Sequence, residues 1–147
     1  MFYKNTTRIK ANAFGFYSIN GTNVIDFKEC SKSESVCEFL EHIRNKNQGR
    51  KIVIIIDNFK SHHAKKTTAK AEELGIELLF LPPYSPDLNP IEFIWKSIKR
   101  VISDTFIKSK EHLRNIIRDE FTKLARSLSF AKRWIEKFKS CLGSVID

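Results

Sequence analysis

Alternating apolar and polar positions open the chain and predict a pair of β-strands. Residues 8–18 are rich in aromatic and small side chains and partly alternate, which is typical of a strand. The dipeptide Asn20-Gly21 follows and favours a hairpin turn. Residues 22–27 then predict the returning strand, so the chain is expected to begin with an antiparallel pair.

A helical spacing of apolar residues comes next. Ser31 and Glu34 have the spacing of a capping box, which predicts that a helix begins there. Residues 47–49 (Asn-Gln-Gly) predict its end. The apolar side chains that recur with helical spacing between these limits form one stripe: Val36, Phe39, Leu40 and Ile43.

The middle of the chain predicts a strand–helix–strand unit. Residues 51–57 are almost all β-branched, which is typical of a central strand covered on both faces. Residues 62–74 predict a polar surface helix that Gly75 stops. Residues 76–81 predict a second short, buried strand. Such a unit normally gives parallel strands joined by a right-handed crossover.

All four prolines lie in residues 82–90, which excludes a helix or central strand there and predicts an ordered turn. Asn89 as N-cap and Pro90 at the first helical position predict the start of a new helix. The apolar stripe of that helix is regular: Ile91, Ile94, Trp95, Ile98 and Ile102.

Two further helices are predicted at 110–128 and 130–142 from their apolar spacing. The element order therefore indicates an α/β protein with a mixed sheet and helices packed on it. The length of 147 residues and the apolar content of 41% suit one domain, residues 1–147, with one core.

Charge and cysteine content narrow the class of protein. The net charge is +9, and residues 93–147 hold 13 of the 26 basic but only 6 of the 17 acidic residues. A basic C-terminal third suits a polyanion such as nucleic acid, although a solvated surface explains it nearly as well. The three cysteines have no zinc-binding spacing, which favours reduced thiols in a cytosolic protein. The longest aliphatic run, residues 52–56, is too short to span a bilayer.

Two acidic residues are candidates for chemistry, and each also has a purely structural explanation. Asp57 ends a buried strand at its carboxyl end, where the sites of α/β sheets gather. It could equally begin a turn with Asn58. Glu92 occupies the first turn of the predicted helix, where it could either bind metal or complete a capping box with Asn89.

Taken together, Asp57 and Glu92 favour a metal site, because both lie at element ends that can meet at one edge of the sheet. Hard divalent cations prefer carboxylate oxygens, and phosphodiester chemistry commonly uses two such ions. His62 could touch this site or a scissile phosphate, or it could be a surface or capping histidine. No phosphate-binding glycine loop is present, which argues against nucleoside triphosphate hydrolysis.

Two segments in the middle of the chain resemble the sequence of a known protein family. Residues 52–66 (IVIIIDNFKSHHAKK) and 75–100 (GIELLFLPPYSPDLNPIEFIWKSIKR) closely resemble the endonuclease domain of mariner-like and insertion-sequence transposases of the DDE superfamily. That family has a ribonuclease-H-like fold. The resemblance places its second acidic residue at Asp57, a histidine at His62 and its third acidic residue at Glu92, with 34 residues between the two acids.

The resemblance implies a function. Asp57 and Glu92 would bind Mg²⁺ or Mn²⁺, and the protein would nick double-stranded DNA at transposon ends and join the freed 3′-hydroxyl to target DNA. A homodimer on paired ends is the implied assembly, without a membrane partner. The implied location is the cytoplasm of a prokaryotic host, in association with the nucleoid.

One departure from the family pattern limits these expectations. The family's first catalytic aspartate lies on a strand before the hairpin, and this chain is expected to lack that strand as well as the N-terminal DNA-binding region. Asp26 does not match the missing position. A truncated copy, one half of a split product and a fragment kept for another role all remain open, and so does inactivity of this chain alone, because the first catalytic aspartate is expected to be absent. A non-catalytic DNA-binding or regulatory remnant that associates with a full-length transposase, or a protein-interaction domain, is the alternative, and the sheet is expected to be partly open.

Overall fold

The structure is a computed structural model that describes residues 2–3, 9–19, 21–57, 64–82 and 89–126. Its elements in chain order are β1 (Phe2–Tyr3), β2 (Lys10–Ala11), β3 (Ala13–Phe16), β4 (Val24–Phe27), α1 (Ser33–Lys46), β5 (Ile52–Ile56), α2 (Lys65–Glu73), β6 (Ile76–Phe80), α3 (Ile91–Ser103) and α4 (Lys110–Ala125). The mixture of strands and helices confirms the predicted α/β class.

The strands form three pairs. β1 pairs with β2 and β3 pairs with β4, both antiparallel, whereas β5 and β6 are parallel. The antiparallel hairpin and the parallel strand–helix–strand unit are therefore confirmed. Within the described residues, no strand joins β3 to β5.

The hairpin connection is longer than a two-residue turn. The last pair of the β3–β4 ladder is Phe16 with Val24, so seven residues connect the strands. Side chains close this loop: the backbone N–H of Ser18 donates to Oδ1 of Asn23 at 2.7 Å, and that of Gly21 donates to Oγ of Ser18 at 2.7 Å. Asn20, on which the turn was predicted, lies outside the described residues.

Two apolar clusters show how the layers are arranged. In one cluster, α1 and α2 pack against both β4 and β5, through buried residues such as Val24, Leu40 and Ile54. In the other, α3 and α4 pack around β1 and β2, with Ile98 and Leu113 fully buried. The β3–β4 hairpin therefore lies between two helical layers. Helix α1 packs against both the β3–β4 pair and the β5–β6 pair.

The capping box predicted for α1 is wrong. The helix begins at Ser33, and Lys32 precedes it without a side-chain cap. The two predicted cap residues are engaged elsewhere. The Ser31 hydroxyl accepts from the Asn12 side chain at 3.0 Å, and Glu34 pairs with Lys66 at 2.8 Å. Contacts between distant segments have thus replaced the local hydrogen bonds that the spacing indicated.

The expectation that β5 is covered on both faces is also wrong within the described part of the chain. Ile52 and Ile54 are buried on the α1 side, but Val53 between them is 48% exposed. Leu79 of β6 is 43% exposed as well. The β-branched run therefore reflects strand propensity, with burial of one face only among the residues described.

The helix limits lie within three residues of the predictions where they can be compared. Gly75 has a φ of +68° and follows Leu74, the C-cap of α2, so the predicted stop is confirmed. That helix begins at Lys65 and not near residue 62 as predicted, because the backbone of Ala64 before it is not helical. α4 ends at Ala125. The predicted final helix, 130–142, also lies outside the described residues.

Asn47 ties the hairpin loop to α1. Its side-chain Oδ1 accepts the backbone N–H of Thr22 at 2.8 Å, and its Nδ2 donates to the carbonyls of Thr22 at 3.1 Å and Ile43 at 3.0 Å. The residue is buried. A single buried amide thus satisfies three backbone groups, two in the hairpin loop and one in α1.

Asn47→Ala is expected to lower the free energy of unfolding by about 2–3 kcal/mol, because it removes the three hydrogen bonds of a buried amide. Gln48→Ala is the matched control, since Gln48 is an exposed amide one position along the chain. Chemical denaturation of both variants measures the difference. Equal stability of the two would show that the Asn47 hydrogen bonds contribute nothing.

Candidate functional site

The sequence-predicted acidic residues line one cavity. It has a volume of about 780 Å³ and lies between β3 and β5. Asp57 reaches it from the carboxyl end of β5, and Glu92 reaches it from the first turn of α3. Asn89 and Trp95 also line it, so the start of α3 forms part of its wall.

The start of α3 is fixed by Asn89. Its Oδ1 accepts the backbone N–H of Ile91 at 3.3 Å, and its carbonyl accepts that of Glu92 at 3.1 Å. Asn89 thus accepts from the first turn as expected of a cap, but the cap position itself is Pro90 and the helix begins at Ile91, one residue later than predicted. Both residues are described, and the Glu92 carboxylate accepts no hydrogen bond from the backbone N–H of Asn89, so the capping box is not formed. The side chain of Glu92 therefore does not serve as a helix cap.

The pKa of Glu92 responds to its surroundings and to the charge of Asp57. Burial raises the pKa of Glu92 above its usual range, and the negative charge of Asp57 raises it further. The positive charge of Lys99 lowers the pKa of Glu92. As the pH rises through this raised pKa, ionisation of Glu92 removes stability from the metal-free fold.

Asp57→Asn is expected to lower the pKa of Glu92 towards its usual range, because it removes the nearby negative charge. Burial keeps the pKa above that range, since desolvation is the larger cause. An NMR titration of the Glu92 carboxyl carbon in the metal-free protein measures the change. Asp104→Asn, at the far end of α3, is the control. A Glu92 pKa that Asp57→Asn leaves unmoved would contradict the proximity of the two carboxylates.

Lys99 is a residue of this site that the sequence analysis did not identify. It stands seven residues, or two helical turns, after Glu92, so the two share a face of α3. The side chain is exposed and its charge reaches Glu92. Searching for a basic residue at this spacing from Glu92 would have found it.

Packing behind the site holds α3 in place. Trp95, one turn after Glu92, stacks on Phe121 of α4 with ring centroids 5.5 Å apart and meets Phe2 edge-on at 5.6 Å. Gly15 of β3 lies against the same indole, where an added Cβ would come within 2.7 Å of it. The strand can approach the helix this closely because it carries a glycine there.

Other predictions for the site fall outside the structure's described residues. His62 and Asn58 belong to the segment 58–63, which is not described. Among the residues that are described, no group of three or more histidine, cysteine or acidic side chains is arranged to hold a metal ion. None of the helices in the described ranges is long and apolar enough to cross a membrane.

Comparison with solved structures shows the fold of the chain. The structure superimposes on the catalytic domain of the Mos1 mariner transposase with a TM-score of 0.75 and 19% identity, over 95% of this chain and 73% of that one. It also matches the Mos1 catalytic domain with Raltegravir and Mn (TM-score 0.73, 19% identity, 90% and 72%). A third match is the Mos1 paired-end complex with the left transposon end (TM-score 0.73, 20% identity, 95% and 44%). The chain therefore has the predicted ribonuclease-H-like fold.

Sequence comparison defines the family. Residues 3–114 match the family of DDE superfamily endonucleases, and the chain belongs to that family. Histone-lysine N-methyltransferase SETMAR of Homo sapiens is 30% identical over 103 residues, covering 65% of this chain and 15% of that protein. Uncharacterized protein y4pE/y4sA of Sinorhizobium fredii is 35% identical over 68 residues, covering 46% of this chain and 48% of that protein. The chain thus spans less than half the length of either relative.

Proposed function

We propose that this chain is the metal-dependent DNA endonuclease and strand-transfer core of a transposase. The observation that carries the proposal is the placement of Asp57 and Glu92 on one cavity at the end of β5, close enough for the charge of one to raise the pKa of the other. Membership of the DDE superfamily endonuclease family supports the same chemistry.

The two carboxylates fit a hard divalent cation. Two half-buried acids that repel each other are destabilising when both are ionised, and a cation between them removes that repulsion. Magnesium is commonly held by one or two carboxylates and completes its coordination with water and substrate oxygens. Asp57 and Glu92 are accordingly proposed to hold Mg²⁺ or Mn²⁺. The structural match to a Mos1 catalytic domain with Mn supports a divalent ion.

A divalent ion held there would supply Lewis-acid activation of the attacking oxygen and stabilisation of the leaving oxygen in phosphodiester displacement. The protein's own residues would provide the remaining functions. Asn89 fixes the start of α3 and thereby the position of Glu92. Lys99, exposed on the same helix face, can attract a phosphate and limit the repulsion between the acids. His62 is proposed to assist at the scissile phosphate.

Basic side chains on α3 and α4 support double-stranded DNA, both transposon ends and target, as the partner. These exposed residues are Lys96, Lys99, Arg100, Lys110, Arg118 and Lys123. Lysine and arginine contacts to phosphates supply most of the sequence-independent affinity for DNA. The match to a transposase complex with a transposon end supports this partner, and a homodimer on paired ends is proposed with it.

Nicking of supercoiled plasmid tests the proposal. The purified chain is expected to convert supercoiled DNA to open circles in Mg²⁺ or Mn²⁺ and to leave it intact in EDTA. If neither metal supports nicking, and Asp57→Ala leaves the conversion of supercoiled DNA the same as for the unmodified chain, the catalytic assignment of this chain fails.

The second candidate is a non-catalytic DNA-binding or regulatory module that joins a full-length transposase. The basic surface of α3 and α4 favours it independently of the carboxylates. DNA affinity that falls steeply with salt, without nicking, would select this candidate. Affinity that ignores salt would exclude both DNA-directed functions.

A further inference from the structure

The loop that joins α3 to α4, residues 104–109, presents an aromatic side chain to solvent. Phe106 in this α3–α4 loop is 78% exposed, more than any other large apolar side chain in the described ranges. The next residue, Ile107, is buried in the apolar cluster between α3 and α4. Single exposed apolar residues are common on soluble proteins, but this one adjoins a firmly buried neighbour. The backbone therefore directs the phenyl ring outward.

Hydrogen bonds hold the α3–α4 loop on both sides of Phe106. On the α3 side, the Thr105 hydroxyl donates to the carbonyl of Val101 at 2.7 Å. On the α4 side, the backbone N–H of Lys108 donates to Nδ1 of His112 at 3.1 Å. The ring is thus presented by a loop that is already ordered. A ligand that contacts the ring therefore loses little affinity to the ordering of the loop.

Positive charge precedes and follows the exposed ring along the chain. Residues 96–110 contain five basic residues and one acidic residue. All five basic side chains are exposed: Lys96, Lys99, Arg100, Lys108 and Lys110. A nucleic acid matches this combination, because its phosphates pair with lysine and arginine and its bases offer apolar faces to an aromatic ring. The charge pattern therefore favours DNA over an apolar protein surface as the partner of this loop.

One face of α3 connects the acidic cavity to the α3–α4 loop. Lys96, Lys99 and Ser103 follow Glu92 by four, seven and eleven residues, so all four share a face of the helix. At a rise of 1.5 Å per residue, Ser103 lies about 17 Å along the helix axis from Glu92. DNA that follows this face reaches the loop about five base pairs from the cavity, because B-DNA rises about 3.4 Å per base pair.

An unpaired base suits the ring of Phe106 better than a paired one. Aromatic side chains bind bases by stacking, and every base has a face that can stack. In a duplex those faces already stack on each other, so an entering ring must first separate a base step. The stacking energy of one ring is of the same order as the cost of that separation, whereas an unpaired base requires little rearrangement.

We propose that Phe106 is a stacking site for an unpaired base in DNA bound along the basic face of α3 and the α3–α4 loop. Arg100, Lys108 and Lys110 contact the phosphates on either side of that base. The inference rests on the proposed DNA partner of this chain. It involves no metal ion and no strand cleavage, so it can fail while the proposed nuclease function holds.

Fluorescence anisotropy in EDTA tests this proposal with two short labelled duplexes of the same sequence, one of which carries a single unpaired thymidine. The unmodified chain is expected to bind the duplex with the unpaired base at least about tenfold more tightly. Phe106→Ala should abolish this preference and keep the affinity for the paired duplex within about twofold. Phe106→Trp should retain the preference. Leu79→Ala, which truncates an exposed apolar side chain on β6, is the matched control and should also retain it.

The salt dependence of binding separates stacking from charge. Phe106→Ala should leave the slope of log affinity against log salt concentration unchanged, because it removes no charge. Lys110→Ala should reduce that slope by about one on both duplexes and leave the preference for the unpaired base intact. The thermal unfolding of Phe106→Ala should match that of the unmodified chain, since the side chain is exposed.

Three results would overturn the stacking role of Phe106. The first is equal binding of the two duplexes by the unmodified chain, and the second is a preference that survives Phe106→Ala. The third is self-association of the chain that Phe106→Ala abolishes, which would identify the ring as a protein contact. Any of these with DNA affinity that still falls with salt leaves the proposed nuclease function standing. A preference that depends on Phe106, without metal-dependent nicking, would support the stacking role and count against the nuclease alone.

Discussion

Replacing Gly15 with alanine is expected to lower the free energy of unfolding by about 2–3 kcal/mol, because it overfills a packed contact. The added Cβ would lie 2.7 Å from two atoms of Trp95 and 2.8 Å from Phe121. The indole cannot simply retreat, since Phe121 and Phe2 both contact it. Either β3 or the start of α3 must shift, and α3 carries Glu92.

Gly49→Ala is the matched glycine control. Gly49 has a φ of +72° but nothing within 4 Å of an added Cβ, so its substitution should cost only the backbone strain, about 1 kcal/mol. Trp95→Phe should partly rescue Gly15→Ala by making room. Denaturation curves for the two single variants and the double variant measure this, and strictly additive losses would contradict the packing explanation.

Glu92→Gln is expected to reduce metal-dependent plasmid nicking at least about 100-fold, since it keeps the shape of the side chain but removes its charge. Asp57→Asn should have a similar effect, because neither carboxylate alone holds the cation in place. The nicking rate in Mg²⁺ and in Mn²⁺ measures both effects.

Asp119→Asn is the matched control for these variants, since Asp119 is an exposed acid on α4. It should nick at the rate of the unmodified chain. Activity of Glu92→Gln above about a tenth of that rate would contradict the proposed role of Glu92.

Local sequence patterns predicted the elements well where one face of the element is buried by its neighbours. The apolar stripe of α3 places Ile94, Ile98 and Ile102 in the core, as its spacing indicated. The strand–helix–strand unit gave parallel β5 and β6 because short crossovers leave few alternatives. The placement of Asp57 and Glu92 on one cavity follows from the same topology.

Contacts between distant segments were not predictable from local spacing. Ser31 bonds Asn12 rather than capping α1, and nothing near either residue indicates that pairing. The Arg44 side chain donates to the carbonyls of Leu74 and Gly75, which become its neighbours only when α1 and α2 pack together. The need for a glycine at position 15 likewise arises only because Trp95 packs against it in the folded chain.

Several expectations about the site stay predictions. His62 lies outside the described residues, so its role beside the carboxylates stays a prediction. The cytoplasmic, nucleoid-associated location and the homodimer also stay predictions. The sheet was expected to be partly open; within the described residues no strand joins β3 to β5, and a cavity lies between them.

Titration of Mn²⁺ by calorimetry tests most directly whether Asp57 and Glu92 hold one ion. The account predicts that Asp57→Asn and Glu92→Gln each weaken binding at least about tenfold, and that the double variant is little weaker than either, because both act on one site. Asp119→Asn should bind as the unmodified chain does. Failure of the unmodified chain to bind Mn²⁺, or losses that add as for two independent sites, would contradict the account.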